Sequence, residues 1–335
     1  MKKGWILPCV MSSLISSAFA QQPTLDDYSF TAADPVVGTL VGLKKAKIAG
    51  PQAKLFGING KQQIYFKGKT ADQGWYDLTV EGTGSAGKLT ASFRVVQDQF
   101  NRNGVIAHRG AWKNTGASQN SIASLREAVK LGCFGSEFDV HMTADSALIV
   151  SHDHTHDGVN LETAPRTDLA ALRLKNGETL PSLEEYLTEG MKQQKTRLVL
   201  EIKSSKISKE RSLKLTEKVI AKVRELKAQA WVDYIAFDFD VCRKVKELDP
   251  YAKVAYLNGD KSPEQLAAAG IDGFDYHFSV LKKNESWIPD AHERKLTVNI
   301  WTVNDPELMK SFLAQKADYI TTDEPEKLFS LKSEK

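Results

Sequence analysis

The rhythm of apolar and polar positions changes near residue 100. Before it, short apolar runs are separated by Gly, Asp, Asn and Pro: LFGING, QQIYFKG, GWYDLTVEG and GKLTASFRVV follow one another. In the third run Tyr76, Leu78 and Val80 alternate with Asp77 and Thr79. In the fourth, Leu89, Ala91, Phe93 and Val95 alternate with Thr90, Ser92 and Arg94. A period of two bounded by turn residues marks strands with one face in a core and one in water. Roughly five to seven such strands in about 75 residues predict a small all-β sandwich over 21–100. Trp75 and Tyr76 read as core aromatics, with a sugar-binding face as the alternative.

From residue 104 the pattern is mixed. GVIAHRG precedes SQNSIASLREAVKLG, where Ile122, Leu125, Ala128, Val129 and Gly132 share one helix face and Ser118 or Asn120 is placed to cap the start. FGSEFDV follows, then ALIVSHD, a polar loop, the helical SLEEYLTEGMKQQ, RLVLEIK and a long helix from roughly 208 to 228. DYIAFDF, KVAYLNG, IDGFDYH, TVNIWTV and ADYITTD continue as short apolar strands, with helical patterns between most of them. Without ALIVSHD there are about eight strands in this α/β region, the count and length of a (β/α)8 barrel over 101–335. A doubly wound open sheet is the alternative, but its glycine fingerprint is missing after the first strand.

The ends of the chain and its totals narrow the setting. Lys2 and Lys3, an apolar run from Trp5 to Ile15, and Ala18-Phe19-Ala20 have the three parts of an export signal over 1–20. The run is too short to span a bilayer, and no later segment is long and apolar enough for stable membrane insertion. Cys9 follows Pro8 rather than a small residue, which argues against lipidation. Cleavage after Ala20 would remove two lysines and lower the net charge from +3 to +1. That balance gives no electrostatic basis for binding nucleic acid or an anionic membrane. Cys133 and Cys242 remain, too few for a disulfide framework, and read as buried free thiols. The signal places the protein in the periplasm or outside the cell.

In a barrel, reactive side chains collect at the carboxyl ends of the strands. Here those ends carry His108 and Arg109, Glu137 and Asp139, Glu201 and Lys203, Trp301 with Thr302 and Asn304, and Asp323. Glu137 and Asp139 are two apart on a strand and share a face, as do Glu201 and Lys203. Carboxylates buried together repel unless a cation joins them. Three carboxylates without a thiolate suit a hard divalent cation, Ca²⁺ or Mg²⁺; surface salt bridges are the other reading. His108 and His152 are the candidate acid and base. HDHTH could suggest zinc, but the carboxylate set competes better, and His154 and His156 read as loop residues. Arg109 and Lys203 suit anionic oxygens, and Gly110 an unusual turn or a close backbone approach. A metal, two histidines and two cations favour phosphoryl chemistry. No Gly-x-Ser-x-Gly elbow or phosphate loop is present.

HRG at 108–110, SEFDVHMTADSALIVSHD at 136–153, LEIK at 200–203, WTVN at 301–304 and TTDEP at 321–325 together resemble the glycerophosphodiester phosphodiesterase family over about 103–330. The resemblance implies a (β/α)8 barrel that uses a divalent cation to hydrolyse glycerophosphodiesters to an alcohol and glycerol 3-phosphate. It implies Glu137, Asp139 and Glu201 as metal ligands and His108 and His152 as the acid–base pair. Arg109 and Lys203 would bind phosphate oxygens, and Trp301 would be an apolar wall. GKQQIYFKGKTADQGWYDLTVEG resembles the later part of a cadherin-like repeat without the acidic calcium-linker motif.

Three departures stand out. Ser118-Gln119-Asn120 replaces the common Pro-Glu-Asn, Ala144-Asp145-Ser146 replaces Lys-Asp-Gly, and the loop 154–180 lacks the usual Thr-Leu-Asp-Arg-Thr. These bear on the substrate more than on the reaction. The expected partner is a small glycerophosphodiester; the sequence is also compatible with a homo-oligomer. The alternatives are a phospholipase D-like enzyme acting on lipids or phosphodiester-linked surface polymers, and a non-catalytic binding protein on a degenerate barrel.

Overall fold

The computed structural model describes residues 22–68, 71 and 73–333; the expected export signal and Cys9 lie outside them. Two four-stranded sheets come first. One orders Thr24–Leu25, Val36–Val41, Gln63–Phe66 and Phe56–Ile58; the other orders Ser29–Phe30, Gly87–Gln97, Trp75–Gly84 and Lys44–Ala49. Alternation along Trp75–Gly84 turns Tyr76, Leu78 and Val80 into the space between the sheets. There Phe30, Phe56, Phe66 and Tyr76 pack ring on ring, with Phe30 and Phe66 centred 5.0 Å apart. Tyr76 is therefore a core residue. Trp75 lies partly buried beneath the Arg94 guanidinium, 4.1 Å from its ring centre.

The barrel strands are β1 (Val105–Ala107), β2 (Gly135–Met142), β3 (Arg197–Ile202), β4 (Val232–Ala236), β5 (Val254–Tyr256), β6 (Gly273–His277), β7 (Thr297–Trp301) and β8 (Tyr319–Thr322). Each pairs parallel with the next in chain order, and β8 closes onto β1 through Ile320↔Val105, Thr321↔Ile106 and Thr322↔Ala107. The sheet is a closed eight-stranded barrel, not an open one. Leu148–Val150 lies antiparallel on the far end of β2 and extends that strand beyond the barrel. Alternate residues do separate jobs. Ile106, Val199, Ile235 and Leu257 fill the barrel with Phe134, while Phe138, Leu198, Leu200 and Ile202 belong to the core shared with the surrounding helices. Each such side chain contributes about 1.5–3 kcal/mol on burial.

The first helix, Ile122–Leu131, is capped by Ser121, not by Ser118 or Asn120. Asn120 is held in a left-handed turn at φ 60°, so helical geometry begins only after Ser121. The Ser121 hydroxyl accepts from the Ser124 amide, and the Ser124 hydroxyl accepts from the Ser121 amide; such caps contribute about 1 kcal/mol. The long helix runs Lys209–Glu225 behind its cap Ser208.

The sandwich packs at the amino ends of the barrel strands. Lys227 faces Asp77 across the junction, and on the barrel side of it the Asn101 amide donates to Lys195 O and Trp231 Nε1 to Gln193 O. Gly74 lies close against Gln194 here, where a Cβ would lie 2.3 Å from Gln194 Oε1 and displace the end of that side chain. Cys133 and Cys242 are buried free thiols pushed up to about 12 by burial. Among the described residues no helix is long and apolar enough to cross a membrane.

Candidate active site

The period of two that builds the barrel also aims its chemistry. Residues 137, 139 and 141 of β2 point inward, as do 201 and 203 at the end of β3. Ligand atoms of Glu137, Asp139 and Glu201 lie within 4.8 Å of one another, and all three residues are buried. Burial raises Glu137, and the charges of Asp139 and Glu201 push it well above the usual carboxylate range. Burial and Asp139 lift Glu201 to about 7 against the pull of Lys203. Burial would also raise Asp139, but Lys203, His152, Asn120 and Arg109 outweigh it and hold Asp139 at about 2. The protein thus gathers negative charge that it only partly compensates.

Lys203 Nζ supplies most of that compensation, 2.9 Å from Glu201 Oε1 and 3.2 Å from Asp139 Oδ1. Asp139 Oδ2 accepts from Asn120 Nδ2 at 2.8 Å, and the Asp139 amide donates to Asn120 Oδ1 at 3.1 Å. Glu137 Oε2 accepts from the Arg109 amide at 2.8 Å. That amide is aimed by a left-handed turn in which Arg109 has φ 57° and Gly110 φ 79°. A Cβ on Gly110 would meet Ser124 Oγ at 2.4 Å, so the turn needs glycine twice over. Arg109 Nη1 donates to Gln119 Oε1 at 2.8 Å, while its buried Nε has no hydrogen-bond partner.

The two expected histidines reach the same mouth. His108 Nδ1 lies 2.7 Å from Asp323 Oδ1, and Asn304 Nδ2 donates to Asp323 Oδ2 at 2.7 Å. Burial would raise Asp323, but His108, Asn304 and Arg109 hold it below the usual range. His152 Nδ1 lies 2.8 Å from Asp153 Oδ1; burial lowers His152 despite the pull of Asp139. In both rings the carboxylate contact on Nδ1 leaves Nε2 for chemistry. Trp301, at the end of β7, is part-buried with its ring edge-on to Phe237 and its indole N–H donated to Asp275 O at 2.8 Å.

The structure therefore brings Glu137, Asp139, Glu201, Lys203, His108, Arg109, His152 and Trp301 to one end of the barrel. His154 and His156 are not in the carboxylate cluster. His154 packs against His141 and faces Glu162, and His156 Nε2 donates to Arg173 O. Sequence reasoning missed His141, although its spacing from Asp139 places it on the same face of β2; it is buried and donates to His152 O. It also missed how Asn120 holds Asp139 and how Asn304 supports Asp323. Neither contact has a sequence spacing that announces it, because each joins residues from separate elements of the fold. In the departing turn, Ser146 takes the left-handed φ of 68° at the place of the family's glycine.

The profile of the Glycerophosphoryl diester phosphodiesterase family matches residues 108–327, from the end of β1 onward and without the sandwich. A glycerophosphodiester phosphodiesterase of Caldanaerobacter subterraneus subsp. tengcongensis is 28% identical over 242 residues, covering 68% of this chain and 96% of that protein. The crystal structure of a Parabacteroides distasonis glycerophosphodiester phosphodiesterase is 41% identical, with a TM-score of 0.68 over 71% of this chain and 98% of that one. An Oleispira antarctica phosphodiesterase, solved in complex with the product sn-glycerol-3-phosphate, is 25% identical, with a TM-score of 0.57 over 68% of this chain and 96% of that one.

Proposed function

The chain belongs to the glycerophosphodiester phosphodiesterase family, and from that premise we propose that it is an exported, divalent-cation-dependent hydrolase of glycerophosphodiesters that works by paired histidine acid–base catalysis. The observation that carries this reading is the set of three buried carboxylates facing one another beside two carboxylate-anchored histidines.

The carboxylate set fits a metal. Glu137 and Glu201 are both raised by burial and by neighbouring negative charge, and buried Asp139 Oδ1 faces only the Lys203 ammonium, which it shares with Glu201. Glu137, Asp139 and Glu201 would hold a hard cation such as Ca²⁺ or Mg²⁺. When bound, it would neutralise phosphate charge and orient a substrate oxygen. Arg109, braced by Gln119, and Lys203 would bind the non-bridging phosphate oxygens. One histidine takes the proton of the attacking oxygen as its bond to phosphorus forms. The other gives a proton to the alcohol oxygen as the second phosphorus–oxygen bond breaks. The two rings then exchange protonation through solvent, restoring the starting state. The attacking oxygen is either water or a neighbouring substrate hydroxyl; a hydroxyl would give a cyclic phosphate first.

The test is hydrolysis of glycerophosphocholine and related diesters with Ca²⁺, with Mg²⁺ and with chelator, followed by phosphorus NMR. Turnover that chelator abolishes and that yields glycerol 3-phosphate supports the proposal. Chelator-insensitive turnover would sink the metal's role, and turnover of intact phospholipids alone would select a lipid-directed enzyme. Export is supported by Lys2, Lys3, the apolar run and Ala18-Phe19-Ala20. N-terminal sequencing of secreted material should begin at Gln21.

A further inference from the structure

The barrel mouth has two unlike halves. β8, β1, β2 and β3 contribute Asp323, His108, Glu137, Asp139, Glu201 and Lys203. The opposite half carries Phe237 just after β4, Leu257 just after β5, His277 ending β6 and Trp301 ending β7. Phe237 and Leu257 have no side-chain donor, and the Trp301 indole N–H is already given to Asp275 O. His277 is register-paired with Trp301, and their rings meet edge to face with centres 5.2 Å apart.

The chemistry of His277 is fixed by its neighbours. The Ser279 amide, which can only donate, points at His277 Nδ1 from 3.3 Å, and the Ser279 hydroxyl lies 2.7 Å from the same atom. Nδ1 is therefore an acceptor, and the neutral ring carries its proton on Nε2. Burial lowers the ring's pKa, which favours that neutral form. Nε2 has no protein partner among the described hydrogen bonds, and the residue remains part-exposed. A neutral N–H donor thus stands beside an indole face, across the mouth from the phosphate-binding groups. An arm of a phosphodiester held at the polar half that reaches across the mouth lies over the aromatic half. An arm that stacks carbon on Trp301 and offers a hydroxyl to His277 fits; an arm without a hydroxyl leaves the donor unused.

We propose that His277 is a specificity-determining residue whose Nε2–H donates to a hydroxyl of the substrate's glycerol arm, with Trp301 packing against that arm's carbons. This rests on reading the site as a glycerophosphodiesterase. The test compares wild type, His277→Ala and His277→Gln on glycerophosphocholine and on p-nitrophenyl phosphocholine, which has the same choline arm but no glycerol. Urea unfolding verifies that each variant is folded.

With His277→Ala, kcat/KM on glycerophosphocholine should fall about tenfold, mainly through KM, the size of one lost neutral hydrogen bond. The loss on p-nitrophenyl phosphocholine should be several times smaller. His277→Gln keeps an N–H donor and should recover part of the loss on the glycerol substrate. Equal losses on both substrates, or no loss on glycerophosphocholine, overturn the assignment while leaving the phosphodiesterase reading intact. Absence of turnover by wild type on both substrates overturns that reading, and this proposal with it.

Discussion

At the amino end of the barrel, Arg197 meets Asp233 through two parallel hydrogen bonds of 2.7 and 2.8 Å, and its guanidinium lies 5.0 Å from the Phe100 ring centre. At the carboxyl end, Glu137, Asp139 and Glu201 face one another, with Lys203 as the nearest cation. Both ends place charge inside the same sheet. At the amino end each charge has a partner of matching shape, so the pair locks β3 to β4 beneath the sandwich. At the carboxyl end like charges are held together, a state that opposes folding unless something else binds. Charges satisfied within the protein stabilise it; charges left unsatisfied are positioned for a ligand.

The largest break in that contrast should come from Glu137→Gln. Loss of one cation ligand should lower kcat/KM by about a thousandfold, in line with several kcal/mol of metal-derived stabilisation. With chelator present, the variant should unfold at the same urea concentration as wild type or a higher one, because one repulsive charge is gone. A clear loss of metal-free stability would show that the cluster is structural. Asp233→Asn should behave in the opposite way. Leaving Arg197 unpaired should cost about 3 kcal/mol in urea unfolding, with kcat/KM within about twofold of wild type. A large kinetic defect there would erase the distinction between the two ends.

A third expectation concerns protons. Burial is the main force on His141, which is pushed down to about 4 although its bond to His152 O opposes the shift. Between pH 4 and the ordinary histidine value of about 6.5, the unfolded chain binds a proton that the folded chain refuses. The contribution of His141 therefore rises with pH across this window and is lost as pH falls through it, by about 2–3 kcal/mol in all, while the raised carboxyls of Glu137 and Glu201 act in the opposite direction. The difference in urea stability between wild type and His141→Gln, measured from pH 7 to pH 4, should show this contribution, shrinking as pH falls. A difference that stays constant with pH would mean that other groups set the pH dependence.

The same two ends show what could be read from the chain and what could not. Spacing of two along a strand identified Glu137 with Asp139 and Glu201 with Lys203, because strand geometry is local. It applied equally to His141, whose residue type alone did not separate a ring buried beside His152 from a surface one. Closure of β8 onto β1 was legible only as a count of strands. The hold of Asn120 on Asp139 depends on a left-handed turn that delays the helix to Ser121. Alternation and capping rules do not encode that turn, which is why Asn120 reads from sequence as a cap. Arg197–Asp233 was invisible for a related reason: two charged residues at strand starts, 36 positions apart, find each other only through the β3–β4 register.

The smallest effect, and the one that sharpens the contrast most, lies at Gln119. Its Oε1 accepts from Arg109 Nη1 without adding charge, so the guanidinium keeps its full positive charge beside Asp139, whose Oδ2 is 3.9 Å from Arg109 Nε. Gln119→Glu would turn this bond into an ion pair and bring the carboxyl end closer to the satisfied state of the amino end. Arg109 would then offer less net charge to a phosphate. KM for glycerophosphocholine should rise about threefold, the scale of a part-exposed ion pair, with kcat changed less. The rise should be larger for a diester whose second arm carries a carboxylate, such as glycerophosphoserine, because the added negative charge acts on both. An unchanged KM for both substrates would remove Arg109 from the phosphate-binding set and leave Lys203 alone in that role.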